Sequence, residues 1–307
     1  MAGYKYVWGD EFNDGFLNRR LWQVSSKDGQ QSQYGWYYKD DHLKVDSSGN
    51  LVMACTYDAT TGKGYRASDI HTQGTMNYQY GYVEMRAKLP MKSSEWGAFW
   101  TQSVVENNSS VVKPLDGLDA SFKVEIDIYE TINSKTPSSP VFNIHKWYTT
   151  DVVTNYILEN WENNKIIPKR AEDAGKEFAD LDSVGKQYYR SKHCHEQLHA
   201  SQKVIINDLE DGYHIFGLEW TEDYYKLFVD GVMLGKYTMD QLADVNNNVF
   251  DNASKLNVDS TQSFLQPFFL IIGSGLHTTV DANDFPYETY VDWIRLYQKD
   301  GMGLYQK

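Results

Sequence analysis

Apolar and polar residues alternate over many short stretches of the chain, in the period-two pattern typical of β-strands with one buried face. The clearest stretches are YGYVEMRAKLP (80–90), FGLEWTEDYYKLFVDG (216–231) and TYVDWIRLYQK (289–299). Turn signals lie within and between such stretches, among them Asp230-Gly231 and SSGN at 47–50. Many short strands with regular turns predict an all-β protein, a sandwich or jelly roll.

Two segments break this pattern. Residues 104–123 are rich in turn-forming residues, and residues 149–210 have a helix-forming composition without alternation. The longer segment contains too few large apolar residues for a core of its own. We therefore predict a single domain over residues 1–307, with a partly helical insertion around 149–210. Both segments are expected to shape a cleft on the β scaffold.

Three carboxylates lie close together in residues 123–133, which read KVEIDIYETIN. In a regular strand Glu125 and Asp127 share one face, whereas Glu130 falls on the other. One extra residue at 128–129, a β-bulge, would return Glu130 to the face of the other two acids. The alternative is an edge strand that shows acids to solvent and so blocks edge pairing.

A bulged strand of this kind suits glycosidase chemistry. Retaining glycoside hydrolysis needs two carboxyl groups about 5–5.5 Å apart, one to attack and one to donate a proton. Glu125 and Glu130 can face each other across such a gap. Asp127 between them can hydrogen-bond to one partner and separate the two pKa values, so that one group is ionised and the other protonated near neutral pH.

The segment EIDIYE (125–130) is similar to the bulged E-x-D-x-x-E signature of glycoside hydrolase family 16. This family includes laminarinases, agarases, porphyranases and carrageenases. The flanking sequence resembles the family as well, at WGDEF (8–12), HTQGTMNYQYGYVEMRAKLP (71–90) and WGAFW (96–100). The resemblance implies a concanavalin-like β-jelly roll of two curved antiparallel sheets, with a polysaccharide lying across the concave sheet.

The same resemblance assigns the catalytic roles. It implies that Glu125 is the nucleophile, that Glu130 is the general acid/base and that Asp127 is the assisting carboxylate. No cofactor is expected for catalysis. Some relatives bind a structural calcium ion through an early acid and a late strand aspartate, and Glu11 and Asp292 match those positions. No compact loop of oxygen ligands accompanies these two residues.

Five further residues are candidates for substrate binding. Trp96 and Trp100 share a strand face and can stack on sugar rings, although either can also be a core residue. His145 is predicted to contact substrate or Asp127, with a purely structural histidine as the alternative. Trp147 has the parity of His145 and can stack on a leaving-group sugar. Arg86 can hydrogen-bond to sugar hydroxyls, unless it is simply solvated.

Composition narrows the range of partners. The 29 basic and 42 acidic residues give a net charge of −13, which disfavours nucleic acid and heavily sulfated polymers. The two cysteines, Cys55 and Cys194, cannot form a disulfide framework. No run approaches the ~18 apolar residues of a membrane span. No signal peptide is visible, and we expect a secreted or cell-surface monomer whose leader is absent from this sequence.

The substrate is the least determined of these predictions. Laminarinases of the family carry a Trp-Pro-Ala wall, whereas this chain has Gly97 between Trp96 and Ala98. That difference favours an algal galactan of the agarose or porphyran type, and the net charge favours a neutral polymer such as agarose over heavily sulfated carrageenan. The alternative is an endo-β-1,3(4)-glucanase. A second alternative is a non-catalytic carbohydrate-binding jelly roll, which the intact set of three acids disfavours.

Overall fold

Nearly all regular structure in the protein is β-strand. The computed structural model describes residues 2–24, 28–31, 36–58, 60, 64–104, 122–131, 141–148, 195–197, 209, 211–243, 262–276 and 281–307. In chain order the strands are β1 (Lys5–Asp10), β2 (Gln23–Val24), β3 (Tyr37–Tyr38), β4 (Leu43–Val45), β5 (Leu51–Asp58), β6 (Gly64–His71), β7 (Met76–Gln79), β8 (Gly81–Lys88), β9 (Glu95–Ser103), β10 (Phe122–Glu130), β11 (Val141–Tyr148), β12 (His195–Gln197), β13 (His214–Trp220), β14 (Tyr224–Val229), β15 (Val232–Thr238), β16 (Phe268–Leu276), β17 (Tyr287–Gln298) and β18 (Gly303–Gln306). In the described part of the chain the helices are one short α-helix, Met239–Ala243, and 3-10 turns at Asp40–His42, Gln262–Leu265 and Ala282–Asp284.

Two antiparallel sheets are formed by these strands. The first sheet has the order β4-β5-β17-β8-β13-β14-β15. Strand β1 lies on the same side of β17 as β5, where it pairs with the C-terminal half of β17. The second sheet has the order β12-β11-β10-β9-β16-β6, with β2 beside β6 and β7 and β18 beyond the start of β16. Only β3 pairs in parallel, with β6, among the described strands. The jelly-roll sandwich expected from the sequence is confirmed.

The core lies between the two sheets. Strand β9 alternates strictly, with Phe99 fully buried and its neighbours Ala98 and Trp100 partly exposed on the outer face. Across the core, the rings of Tyr129 in the second sheet and Phe216 in the first have centroids 4.6 Å apart. Each strand therefore has one apolar face towards the partner sheet, which the period-two pattern predicts.

The predicted turns have the expected backbone geometry. Asp230 and Gly231 both have positive φ angles, 49° and 76°, which allows the tight connection between β14 and β15. In the turn between β4 and β5, Gly49 has a φ of 80°. The Asp46 carboxylate there accepts hydrogen bonds from the backbone N–H groups of Ser48 and Asn50, both at 2.9 Å.

The two predicted insertions lie mostly outside the described residues. Of residues 149–210 the structure describes only 195–197 and 209, and of residues 104–123 only 104, 122 and 123. Residues 195–197 form β12, which pairs with β11, so this part of a segment predicted to be partly helical is a strand. The helical content predicted elsewhere in 149–210 lies outside the described part of the chain. No helix in the described ranges is long and apolar enough to cross a membrane.

Candidate active site

The acidic strand β10 contains the bulge that its sequence predicts. Opposite β9, Asp127 pairs with Trp100 and Tyr129 pairs with Phe99, so β10 has one extra residue at Ile128. Ile128 and Tyr129 are both fully buried, and two successive side chains therefore point into the core. The next residue, Glu130, returns to the outer face of the sheet with Glu125 and Asp127.

The outer face of the second sheet forms an open cleft of about 500 Å³. The three acids of β10 lie on its floor, with tryptophans from both neighbouring strands beside them. The cleft is lined by Gln30, Gln31, Trp36, Tyr38, Ser68, Asp69, Trp96, Ala98, Trp100, Gln102, Lys123, Glu125, Asp127, Glu130, Trp147, Gly273, Ser274 and Gly275. Aromatic faces and hydrogen-bonding groups in one open groove suit a sugar polymer.

Glu125 is surrounded by groups that favour its ionised form. The indole N–H of Trp147 donates a hydrogen bond of 3.0 Å to Glu125 Oε2. The Lys123 ammonium group lies 5.6 Å from the centroid of the Trp147 ring. Burial raises the pKa of Glu125, while the positive charges of His145 and Lys123 and the Trp147 hydrogen bond act in the opposite direction.

Asp127 is paired with a histidine from the neighbouring strand. His145 Nε2 lies 3.0 Å from Asp127 Oδ2, in a site where both side chains are largely buried. Burial raises the pKa of Asp127 to about 6, although the hydrogen bond from His145 lowers it. Burial also lowers the pKa of His145, but Asp127 and the two glutamates together raise it to about 9. His145 is therefore a cation near neutral pH.

Glu130 is held by two donors and remains protonated to a higher pH than an ordinary glutamate. Trp96 Nε1 donates to Glu130 Oε1 at 2.6 Å, and Asn143 Nδ2 donates to Oε2 at 3.1 Å. Burial and the charge of Asp127 raise the pKa of Glu130 to about 7, against the lowering effect of these donors. The arrangement supplies a carboxylic acid that can donate a proton near neutral pH.

The cleft brings together most of the residues that the sequence singles out. Trp96, Trp100 and Trp147 all line it, and two of these indoles hydrogen-bond to the outer glutamates. His145 lies beside Asp127, the second of the contacts predicted for it. The roles of these residues towards a substrate remain predictions.

Arg86 was predicted to bind sugar hydroxyls, and the structure places it elsewhere. It lies on β8 of the first sheet, on the opposite side of the sandwich from the cleft. There its guanidinium group forms an ion pair with Asp292 and lies 4.4 Å from the centroid of the Tyr213 ring. The alternation along β8 predicts correctly that Arg86 points outward, but it does not predict which sheet β8 joins.

The predicted calcium ligands do not form a common site. Glu11 binds Arg295 through both carboxylate oxygens, at 2.7 and 2.8 Å, and Asp292 is paired with Arg86. Two acids that are each neutralised by a different guanidinium group do not fit a shared calcium ion. The residues present therefore do not support the metal site that the resemblance implies.

One other group of ligand atoms lies close together. Among the described residues, the donor atoms of Glu125, Asp127 and His145 lie within 4.8 Å of one another. These atoms already contact protein partners, because His145 lies against Asp127 and Trp147 donates to Glu125. The group is accordingly interpreted as a hydrogen-bonded acid cluster rather than a metal centre.

Several residues of the site were not found from the sequence. Asn143 has the same parity on β11 as His145 and Trp147, and this parity is the signal that would have found it. Lys123 likewise shares the parity of Glu125. Asp69 and Trp36 come from distant parts of the chain, and only the sheet order brings them to the cleft.

Comparison with known proteins finds glucanases among the similar sequences. No family model matches the sequence. Glucan endo-1,3-beta-glucosidase A1 of Niallia circulans is 23% identical over 97% of this chain and 38% of its own length. The beta-glucanase of Rhodothermus marinus is 22% identical over 96% of this chain and 85% of its own length. The chain thus spans well under half of the first relative.

Solved structures share the fold over almost the whole chain. The laminarinase from Flavobacterium sp. UMI-01 has a TM-score of 0.60 at 22% identity, and the match covers 96% of this chain and 100% of that one. SCLam, a non-specific endo-beta-1,3(4)-glucanase from family GH16, has a TM-score of 0.61 at 24% identity, with 97% and 92% covered. The chain is thus similar in sequence along almost its whole length to curated glucanases, and it has the fold of solved glucanases and laminarinases, one of them from family GH16.

Proposed function

We propose that this protein is a retaining endo-β-glucanase that cleaves β-1,3- or mixed β-1,3/1,4-linked glucans. The observation that carries the proposal is the position of Glu125, Asp127 and Glu130 on one face of a bulged strand, at the floor of an open cleft. An open cleft accepts an internal part of a polymer, which endo-cleavage requires.

Glucans are favoured over galactans by the relatives. The galactan preference, inferred from Gly97 between Trp96 and Ala98, finds no support among the relatives and structures described above, which are glucanases and laminarinases. The lining also favours an uncharged polymer. The carboxylates of Glu125, Asp127 and Asp69 lie in the cleft, and they would repel sulfate groups.

Glu125 is the nucleophile in this proposal. Its neighbours Lys123, His145 and Trp147 stabilise the carboxylate form that attack on the anomeric carbon requires. Attack forms a glycosyl ester with Glu125, while Glu130 transfers its proton to the glycosidic oxygen and the leaving chain departs.

Glu130 then acts as a base. As a carboxylate it takes a proton from the water that attacks the ester, so the sugar is released with its original anomeric configuration and Glu130 regains its proton. Asp127, held by His145, lies between the two glutamates and separates their proton affinities.

Release of reducing ends from a panel of polymers tests this function. Wild-type protein, Glu125→Gln and Glu130→Gln are incubated with laminarin, lichenan, agarose, porphyran and carrageenan. We expect the wild type to cleave laminarin or lichenan and both variants to lose at least about a thousandfold in rate. Glu288→Gln, which changes a partly exposed carboxylate on the first sheet, is the matched control and keeps full activity.

The outcome of that panel is decisive in both directions. A wild type that is inert on every polymer while still binding one of them would leave only the carbohydrate-binding alternative. Preferential cleavage of agarose or porphyran would restore the galactan prediction.

Azide separates the two glutamate roles. In Glu125→Ala, azide can replace the missing nucleophile, and single inversion at the anomeric carbon gives an α-glycosyl azide. In Glu130→Ala, azide intercepts the glycosyl ester and gives a β-glycosyl azide. The reverse pattern, measured by NMR of the products, would exchange the assigned roles.

A further inference from the structure

Gly273 is an unusual residue for its position. It lies in the interior of β16, between β9 and β6, where glycine is less favourable than alanine because it loses more backbone entropy and has no side chain to pack. The φ angle of Gly273 is not positive, so its backbone conformation does not require glycine. Gly273 is also the only partly exposed residue of β16, and its exposed side is the cleft.

Packing does not explain this glycine either. Among the described residues, a Cβ atom at Gly273 would meet only the Cβ of Asp69, at 3.7 Å, which is an ordinary van der Waals contact. The two nearby glycines differ from it. A Cβ at Gly275 would lie 2.9 Å from the carbonyl oxygen of Trp96, and one at Gly97 would lie 2.7 Å from Glu95 Oε1. The backbone contact requires glycine at position 275, and a side chain at position 97 would have to displace the end of the Glu95 side chain, whereas Gly273 leaves a hollow.

The register of the paired strands shows which side-chain positions lie next to Gly273. Glu130 pairs with Ala98 on β9, Ala98 pairs with Gly273 on β16, and Gly273 pairs with Asp69 on β6. Directly paired residues share a face, so these four side-chain positions form one row across four strands. At 4.7–4.9 Å between strands, the row is about 14 Å long. Its two central positions have the smallest side chains of the set.

Tryptophan stands on either side of this row. Trp96 and Trp100 lie two residues before and after Ala98 on β9, on the same face, and both line the cleft. The row is therefore a trench that begins at Glu130 and ends at Asp69.

We propose that Ala98 and Gly273 are the floor of a glycan subsite, in which an uncharged, unsubstituted hexose unit lies against the Gly273 backbone between Trp96 and Trp100. The inference rests on the proposed function and specifies which sugar unit the cleft accepts. A flat floor of small residues allows a ring to approach the backbone closely. The carboxyl groups of Glu130 and Asp69 at the ends accept hydrogen bonds from hydroxyl groups, and the Asp69 carboxylate repels sulfate or carboxylate substituents.

Side chains placed on the floor test the subsite. Gly273→Ala and Gly273→Val are made in the Glu125→Gln background, and binding of laminarihexaose and of neutral and sulfated agaro-oligosaccharides is measured by calorimetry. Gly212→Val is the matched control, because a Cβ at Gly212 meets nothing within 4 Å and its φ is not positive. Thermal unfolding is measured for every variant.

We expect Gly273→Val to weaken binding of the best neutral oligosaccharide by at least tenfold and Gly273→Ala by severalfold. The melting temperature stays equal or rises, because β-branched residues favour strands. Gly212→Val changes neither quantity. In the active protein, Gly273→Val raises KM more than it lowers kcat.

Three results would overturn the subsite. These are binding by Gly273→Val within twofold of its parent, a fall of several degrees in melting temperature for both Gly273 variants but not for Gly212→Val, and equal affinity for sulfated and neutral oligosaccharides. Because binding is measured without turnover, a protein that cleaves no polymer would contradict the proposed function and leave this measurement intact.

Discussion

Two glutamates in the cleft are each held by an indole from a different neighbouring strand. Trp96 on β9 donates to Glu130, and Trp147 on β11 donates to Glu125. An indole N–H donates a hydrogen bond but cannot accept one or take up a proton. Each tryptophan therefore fixes a carboxyl oxygen without competing for the proton that the proposed reaction moves.

Removing one of these donors shifts the pH profile. Trp96→Phe keeps an aromatic ring but loses the N–H that lowers the pKa of Glu130. Because Glu130 must be protonated to act as the acid, its higher pKa moves the basic limb of kcat/KM upward, by about one pH unit. Glucanase assays from pH 5 to 9 measure the limb, and the acidic limb is the internal control. An unchanged basic limb would contradict the role of Glu130.

Lys123 is expected to influence the acidic limb of the pH profile of kcat/KM. Its positive charge favours ionised Glu125, so Lys123→Met raises the pKa of Glu125 and moves the acidic limb of kcat/KM upward, by about 0.5 pH unit. Lys123→Arg retains the charge and the cation–π contact with Trp147, and it restores the limb. A shift of equal size in both variants would mean that packing, rather than charge, connects Lys123 to Glu125.

At the scale of single elements, the bulge in β10 determines where the acid points. Deletion of both Ile128 and Tyr129 makes Glu130 follow Asp127 directly, so that in a regular strand Glu130 faces the core. We expect activity to fall by at least about a thousandfold and the free energy of unfolding to drop, because a carboxyl group is buried without partners. Ile128→Val, which costs only about 0.5–1.5 kcal/mol, keeps the bulge and the activity. Reducing-end assays and urea unfolding measure both effects, and an active deletion variant would refute the bulge argument.

The sequence predicts individual strands and turns well, but it predicts poorly which strands pair with one another. Period-two alternation and turn chemistry are local, so the turn at Asp230-Gly231 and the bulge at 128–129 could be found from the sequence. Sheet membership depends on pairing between distant segments. Arg86 points outward as its parity predicts, but β8 pairs with β13 and β17, and the residue therefore faces away from the cleft.

The same limit applies to the walls of the cleft. Asp69 lies on the floor because β6 pairs with β16, some two hundred residues later in the chain. Nothing in the sequence near Asp69 indicates that pairing. Glu11 and Asp292 show the same limit, because Glu11 pairs with Arg295 of β17 and Asp292 pairs with Arg86 of β8, and the local sequence indicates neither pairing.

For the molecule as a whole, an acid in the core links stability to pH. Glu95 is fully buried on the inner face of β9, and burial raises its pKa from 4.5 to about 8. The folded protein holds a proton here that the unfolded chain releases above about pH 4.5. Stability contributed by this group is therefore present at low pH and is lost as the pH rises from about 4.5 to 8.

Glu95→Gln removes this dependence while keeping a neutral side chain of similar size. We expect the variant to match the wild type in free energy of unfolding near pH 4.5 and to exceed it increasingly towards pH 8. Urea unfolding at several pH values measures the difference. Comparison of the two proteins cancels the contributions of the cleft acids and His145, and a difference independent of pH would contradict the buried charge.

Strand β17 is the common partner of β1, β5 and β8, and it lies far after all three in the sequence. During synthesis these three earlier strands emerge from the ribosome long before their hydrogen-bonding partner exists. The first sheet can therefore close only after β17 has emerged, and a nascent chain released before Tyr287 would expose bare strand edges that invite aggregation.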